Sequence, residues 1–233
     1  MDPLPTFSPK AFPLGVNGPF KTFNADSLQE KYGGDRGIFH NAETREIAKH
    51  LEGLLVALDT KCGFPSLRGL TVVDVGCGTG FITRHLAILV GKEGQVFGAE
   101  ISHGFLELIR REGVSDNVTL VQTMDDSLSG IPDESAHVVF VCDVYHHFEN
   151  PHAMNCEMMR VLKPGGVVVL VDFIRDAAVH WSHNPPEWVL DHVRADQIQF
   201  ESELSRSGLV KIGDVVVDGL SENYVSVLQK PAS

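Results

Sequence analysis

The sequence predicts a doubly wound α/β domain, because short β-branched runs alternate with helical stretches, the runs stay apolar along their length, and two strand-like segments close the chain. The runs TVVDV (71–75), QVFGAE (95–100), NVTLVQ (117–122), HVVFVCD (137–143) and GVVVLVDF (166–173) read as strands of a parallel sheet buried on both faces. Parallel neighbours need crossover helices, and 80–90, 102–112 and 150–162 supply them. A helix over 195–207 ends at Gly208, after which KIGDVVVDG and ENYVSVLQ follow as successive, hence antiparallel, strands. The expected architecture is a seven-stranded, mostly parallel sheet closed by a C-terminal antiparallel hairpin.

Prolines at 3, 5, 9, 13 and 19, with Gly15 and Gly18, deny the start of the chain a regular ladder of hydrogen bonds. Residues 1–40 are therefore expected to form a partly irregular arm. Ile47, Leu51, Leu54, Leu55 and Leu58 recur at helical spacing and predict a cap helix over 42–60, opening a single domain that occupies 41–233. The stretch IRDAAVHWSHNPPEWVLDHVR (174–194) is too long for a connector and is expected to be a lid.

A hydrophobic fraction of 43% over 233 residues is ample for one core. With 19 basic against 31 acidic residues the formal charge is −12, which repels a phosphate backbone, and no basic patch offsets it; nucleic acid is not an expected partner. Cys62, Cys77, Cys142 and Cys156 form no CxxC pair, so neither a disulfide framework nor a structural zinc site is expected, and a reducing, cytoplasmic setting fits best. The start of the chain lacks a leader pattern, and the most apolar run, VVVLVDF (167–173), is far shorter than the ~20 residues of a membrane span, so no membrane association is expected.

The first strand runs into VVDVGCGTG (72–80), where Gly76, Cys77, Gly78 and Gly80 form a turn that lets backbone approach a ligand. In an open α/β sheet the ligand crevice lies at the carboxyl ends of the strands, where strand order reverses. The spacing is GxGxG rather than the GxGxxG of a dinucleotide site. Asp74, at the end of the first strand, suits a ligand carrying an ammonium group better than one carrying two phosphates. Glu100, at the end of the second, is an acceptor-only group placed for a ribose diol. After the third, Asp125 or Asp126 is a candidate acceptor for an adenine amino group, with Met124 beside the ring face.

With these residues in register the chain resembles the class I S-adenosylmethionine-dependent methyltransferases, within the broad methyltransferase-domain group of Rossmann-like enzymes that includes ubiquinone-type and natural-product members. The resemblance spans about 70–230 and rests on VVDVGCGTG, VFGAEIS, PDESAHVVFVCDVYHHFENP, RVLKPGG and the closing hairpin. It implies that Asp74, Gly76, Gly78 and Gly80 cradle the methionine part of S-adenosylmethionine, that Glu100 holds the ribose, and that Met124 with Asp125, or alternatively Asp126, flanks adenine. The family usually has Asp where this chain has His137 and often Gly where it has Glu134. A narrower resemblance is to bacterial-type members with YHHF, DF, HVRA and ENY segments, here at Tyr145–Phe148, Asp172–Phe173, His192–Ala195 and Glu222–Tyr224.

Methyl transfer is an in-line displacement at a sulfonium, so the protein aligns a nucleophile and, where needed, removes its proton. The loop after the fourth strand, with Asp143, Tyr145, His146 and His147, is the expected wall between cofactor and acceptor, and His146 or His147 is the candidate base. Tyr145 is a further candidate at this wall, with packing against the cofactor as its other reading. On the lid, Trp181 and Trp188 offer flat apolar surface, while His192 and Arg194 are candidates to grip the acceptor. Arg194 has the alternative of pairing with Asp191 or Glu187. Seven histidines fall between 137 and 192, but their spacings match no compact ligand motif, and no metal is expected. Tyr32, Arg36 and His40 are weaker candidates beside the cap. The expected activity is methyl transfer to a small-molecule acceptor, with a protein methyltransferase or a non-catalytic S-adenosylmethionine-binding subunit as alternatives.

Overall fold

The computed structural model describes residues 15–33, 37–42, 45–176, 178, 179 and 186–232. Their strands are β1 (Thr71–Val75), β2 (Gln95–Glu100), β3 (Val118–Gln122), β4 (Ala136–Cys142), β5 (Leu162–Phe173), β6 (Val210–Asp214) and β7 (Asn223–Gln229), assembled in one sheet of order β3-β2-β1-β4-β5-β7-β6. Pairing is parallel from β3 to β5 and antiparallel for β5 with β7 and β7 with β6. Strand order reverses between β1 and β4, which opens a crevice beyond their carboxyl ends.

The helices are α1 (Gly18–Thr22), α2 (Ala25–Tyr32), α3 (Glu46–Lys49), α4 (Leu51–Lys61), α5 (Phe81–Val90), α6 (His103–Glu112), α7 (Pro151–Val161), α8 (Pro186–His192) and α9 (Gln197–Arg206). Alternation along the strands splits the core in two. Val73, Val139 and Val168 face Met158 of α7 and Phe200 of α9, whereas Val72, Val138 and Val167 face Leu54 of α4 and Leu86 of α5. Among the described residues, no helix is long and apolar enough to cross a membrane.

Three expectations need adjustment. The described part of the 1–40 arm carries two short helices among turns: Asn24 caps α2 by accepting from the Ser27 amide at 2.9 Å, and Ala25, Leu28 and Tyr32 pack on Phe105 and Leu108 of α6. Gly104 permits this contact, since a Cβ there would stand 2.4 Å from the Phe23 carbonyl oxygen. The cap helix over 42–60 is instead α3 and α4, separated at His50 (φ −107°, ψ 21°), against whose ring Gly219 packs so closely that a Cβ would lie 2.3 Å away. The lid's described second half is anchored: Val189 and Val193 are fully buried in the core, and Arg175 donates to the Val193 and Leu190 carbonyls at 2.8 and 2.9 Å.

Candidate active site

The glycine turn is tied to the neighbouring strand. The amides of Gly76 and Cys77 donate to the Ala99 carbonyl at 2.8 and 3.2 Å, and that of Gly78 donates to Glu100 Oε2 at 2.8 Å. Gly76 (φ +71°) has no room for a side chain, because a Cβ would stand 2.6 Å from the Val144 methyls. The Ser102 amide donates to Glu100 Oε1 at 2.8 Å. Burial raises the pKa of Glu100, against the stabilising effect of these amides.

Asp74 is also buried and accepts from the Thr83 hydroxyl at 2.6 Å. Burial raises its pKa to about 6; the Thr83 bond opposes this, Glu100 adds to it, and Arg45 opposes it from further off. Two desolvated carboxylates thus flank one bare backbone turn, an electrostatic setting that favours a cationic ligand with hydroxyls to donate.

Two cavities adjoin at this turn and share Gly76, Gly78, Phe20, Phe39, Val144 and His147. The first reaches Glu100, Ile101, Thr123, Met124, Asp125 and Met154. The second, of about 410 Å³, reaches Asp74, His146, Trp188, His192, Glu222 and Asn223.

The tip of β4 sits where they meet. Asp143 has φ +54°, in the left-handed region, and this aims its carboxylate at Arg45 and Asn223. Arg45 donates to Oδ2 from Nη2 at 2.8 Å and from Nε at 3.1 Å, while Asn223 Nδ2 donates to Oδ1 at 2.6 Å. Burial still holds Asp143 above its ordinary pKa, with Arg45 the main opposing influence.

Beyond Asp143 a 3-10 turn over Tyr145–His147 carries two imidazoles to the second cavity. The Asp172 carboxylate, fully buried on β5, lies 2.8 Å from His146 Nδ1 and accepts from the His146 amide at 3.2 Å and the Phe173 amide at 2.8 Å. His147 Nε2 lies 3.2 Å from His192 Nε2, and the His192 ring stacks on Trp188 with centroids 4.3 Å apart. Burial, then the neighbouring histidines His146 and His192, lowers the pKa of His147 to about 2. His192 falls to about 4 through burial and His146, with Asp172 opposing. Both rings are therefore neutral at pH 7.

The structure brings together Asp74, Gly76, Cys77, Gly78, Glu100, Met124, Asp125, Asp143, His146, His147 and His192 along the two cavities. It leaves others out. Gly80 lines neither; it stands at φ +74° just before α5, and a Cβ there would meet Ile109 at 3.2 Å. Asp126 is exposed, whereas Asp125 faces the first cavity and pairs with Lys21. Tyr145 is fully buried and lines neither cavity: its hydroxyl donates to Glu203 at 3.2 Å and accepts from Asn155 at 2.8 Å. Burial then Glu203 raise its pKa far above the ordinary phenol value. Arg194 also lies away from the cavities, in a bidentate pair with Glu203 at 2.8 and 2.7 Å rather than with Asp191 or Glu187. Trp181 and Arg36 lie outside the described residues. Tyr32 lines the second cavity, and His40 Nε2 lies 2.8 Å from the hydroxyl of Thr79 in the glycine turn.

Sequence reasoning missed Arg45, Asn223 and Asp172 as parts of the site. The DF and ENY segments were visible, but nothing local marked Arg45, which lies 98 residues from its partner. Glu46 adds another such link, receiving the Ser221 amide and hydroxyl at 2.7 and 2.8 Å and so fastening α3 to the loop before β7.

Residues 73–170 match the model of a family described as a methyltransferase domain. The ubiquinone/menaquinone biosynthesis C-methyltransferase UbiE of Shewanella pealeana is 33% identical over 109 residues, covering 45% of this chain and 43% of that protein. The chain thus matches less than half the length of this curated relative. In fold it is similar to a SAM-dependent methyltransferase from Aquifex aeolicus (TM-score 0.67, 18% identity, 89% of this chain and 99% of that one). It is likewise similar to an S-adenosylmethionine-dependent methyltransferase from Mesorhizobium loti (TM-score 0.60, 16% identity, 81% and 100%).

Proposed function

We propose that the chain is a class I S-adenosylmethionine-dependent methyltransferase, a reading supported by the methyltransferase-domain match over 73–170 and by the shared fold, and that it transfers the methyl group of S-adenosylmethionine to a small-molecule acceptor seated in the second cavity. The observation that carries this reading is how the two joined cavities divide the candidate groups between them. Glu100 and Asp125 line the first cavity, Asp74, His146 and His192 under Trp188 line the second, and the bare turn and His147 line both.

The cofactor, when bound, supplies an electrophilic methyl group. Glu100 would accept from the ribose hydroxyls, its two oxygens already fixed by the Gly78 and Ser102 amides. Asp74 would face the ammonium group, whose charge offsets the desolvation that now raises its pKa. Met124 and Asp125 would flank adenine. In the second cavity His146, oriented by Asp172, would face the acceptor and is placed to take a proton from it. The burial of Val189 and Val193 holds α8 against the body of the domain, which favours a small acceptor over a peptide lying in an open groove.

The test is to incubate the full chain with isotopically labelled S-adenosylmethionine and pooled metabolites, and to identify the product that gains label. Methylation of a small molecule, abolished by Asp74→Ala, supports the reading. Label appearing only in protein substrates, or in nothing while the cofactor binds, contradicts it.

A further inference from the structure

His146, His147 and His192 converge on the acceptor end of the second cavity, and their ligand atoms all lie within 4.8 Å of one another. We propose that these three imidazoles bind a divalent first-row transition metal of the zinc type, whose remaining coordination position faces the acceptor. The proposal deepens the functional reading above and rests on it for the acceptor's position.

Two observations support a built site. The two Nε2 atoms of His147 and His192 are 3.2 Å apart, close to the ~3.3–3.4 Å edge of a tetrahedron whose Zn–N bonds are ~2.0–2.1 Å. A metal would therefore draw these two ligands into place with little movement. His146 Nδ1 is already held by the buried Asp172 carboxylate, the partner that commonly orients a metal-bound imidazole and leaves Nε2 free to ligate.

The sequence expectation of no metal rested on the lack of a compact motif. The ligands instead come from a 3-10 turn after β4 and from the end of α8, with the supporting acid on β5. The YHHF, DF and HVRA segments thus meet at one point.

Three nitrogen ligands with one open position is the arrangement of catalytic rather than structural zinc. An acceptor thiol or hydroxyl bound at that position would ionise more readily, its proton passing to solvent, and the anion would lie beside the methyl donor. His146 would then act as a ligand, not as the base.

The experiment uses the full chain stripped with a chelator and titrated with Co²⁺. Saturable 1:1 binding with the intense visible bands of four-coordinate cobalt, reversed by Zn²⁺, is expected. His147→Ala and His192→Ala should each weaken binding at least tenfold, and Asp172→Asn by ~10–100-fold. His85→Ala, on α5, should leave it unchanged. His192→Cys should add a thiolate-to-cobalt charge-transfer band that only a direct ligand produces, which keeps the test sound if a buried variant fails to fold. Absence of saturable binding, or binding indifferent to both His147 and His192, overturns the proposal. Cofactor affinity measured on the metal-free chain reports on the functional reading alone, so the two failures are distinguishable.

Discussion

Replacing Arg45 with Met tests how the tip of β4 is held. The guanidinium and the Asp143 carboxylate are largely buried, with 16% and 11% of their side-chain surfaces exposed, and two hydrogen bonds of 2.8 and 3.1 Å join them. Removing one partner of a buried pair costs roughly 3–5 kcal/mol, mostly because the remaining charge is stranded. In Arg45→Met only the 2.6 Å bond from Asn223 is left to Asp143 among the bonds described above. The double variant Arg45→Met with Asp143→Asn strands no charge, and Asn tolerates the left-handed backbone at φ +54°. Its stability should return to within ~1–2 kcal/mol of the parent. Asp143 already has a raised pKa that Arg45 holds down, so in the single variant it rises further. A carboxylate with a raised folded pKa weakens folding above that pKa and stops doing so below its unfolded value. The deficit of Arg45→Met should therefore shrink as pH falls from 7 towards 4. Urea unfolding of all four corners of the cycle measures this. A single-variant loss below ~1 kcal/mol, or a double variant no better than the single, would refute the reasoning.

Further outcomes follow from the same structure. Burial has lifted Asp74 from near 3.8 to about 6, which costs folding roughly 3 kcal/mol at neutral pH and nothing once both states are protonated. Binding of a cationic ligand has the opposite slope. S-adenosylmethionine affinity, measured by calorimetry, should fall roughly tenfold per pH unit below about 6, and an affinity flat between pH 7 and 5 would count against Asp74 as its partner. Glu134 sits at φ +45°, where glycine is at ease, and its exposed contact with Lys230 is long at 3.4 Å. Glu134→Gly should raise stability by ~0.5–1 kcal/mol in urea unfolding, and a lower midpoint would contradict this. Tyr145→Phe leaves Asn155 and Glu203 without the hydroxyl between them. It should lower stability by ~1–3 kcal/mol and leave cofactor affinity within about threefold, whereas a large loss of affinity without loss of stability would restore Tyr145 to the site.

Much of this arrangement was legible because it is local. The runs at 71–75 and 95–100 became β1 and β2 with the same bounds, since strands buried on both faces show as continuous apolar stretches between turn residues. Asp74, Gly76, Gly78 and Glu100 followed from their places at strand ends. Glu134 was marked as standing where the resembling family often has Gly, and its backbone supplies the reason. What escaped was non-local. Arg45 reaches Asp143 across 98 residues, and no spacing rule covers that distance. His192 and Arg194 lie two residues apart at the end of a helix, and only His192 faces the cavity while Arg194 turns to Glu203. Residues 15–33 looked irregular because proline and glycine dominate the start of the chain. The apolar face of α2 made its case only once α6 was there to pack against.

The central claim is that the turn between Asp74 and Glu100 holds S-adenosylmethionine, and calorimetric titration of the full chain with that cofactor tests it most directly. Saturable 1:1 binding that Asp74→Ala and Gly78→Arg each abolish, while both variants keep the parent's circular dichroism, is the predicted result. No binding to the parent chain, or undiminished binding to both variants, would contradict it.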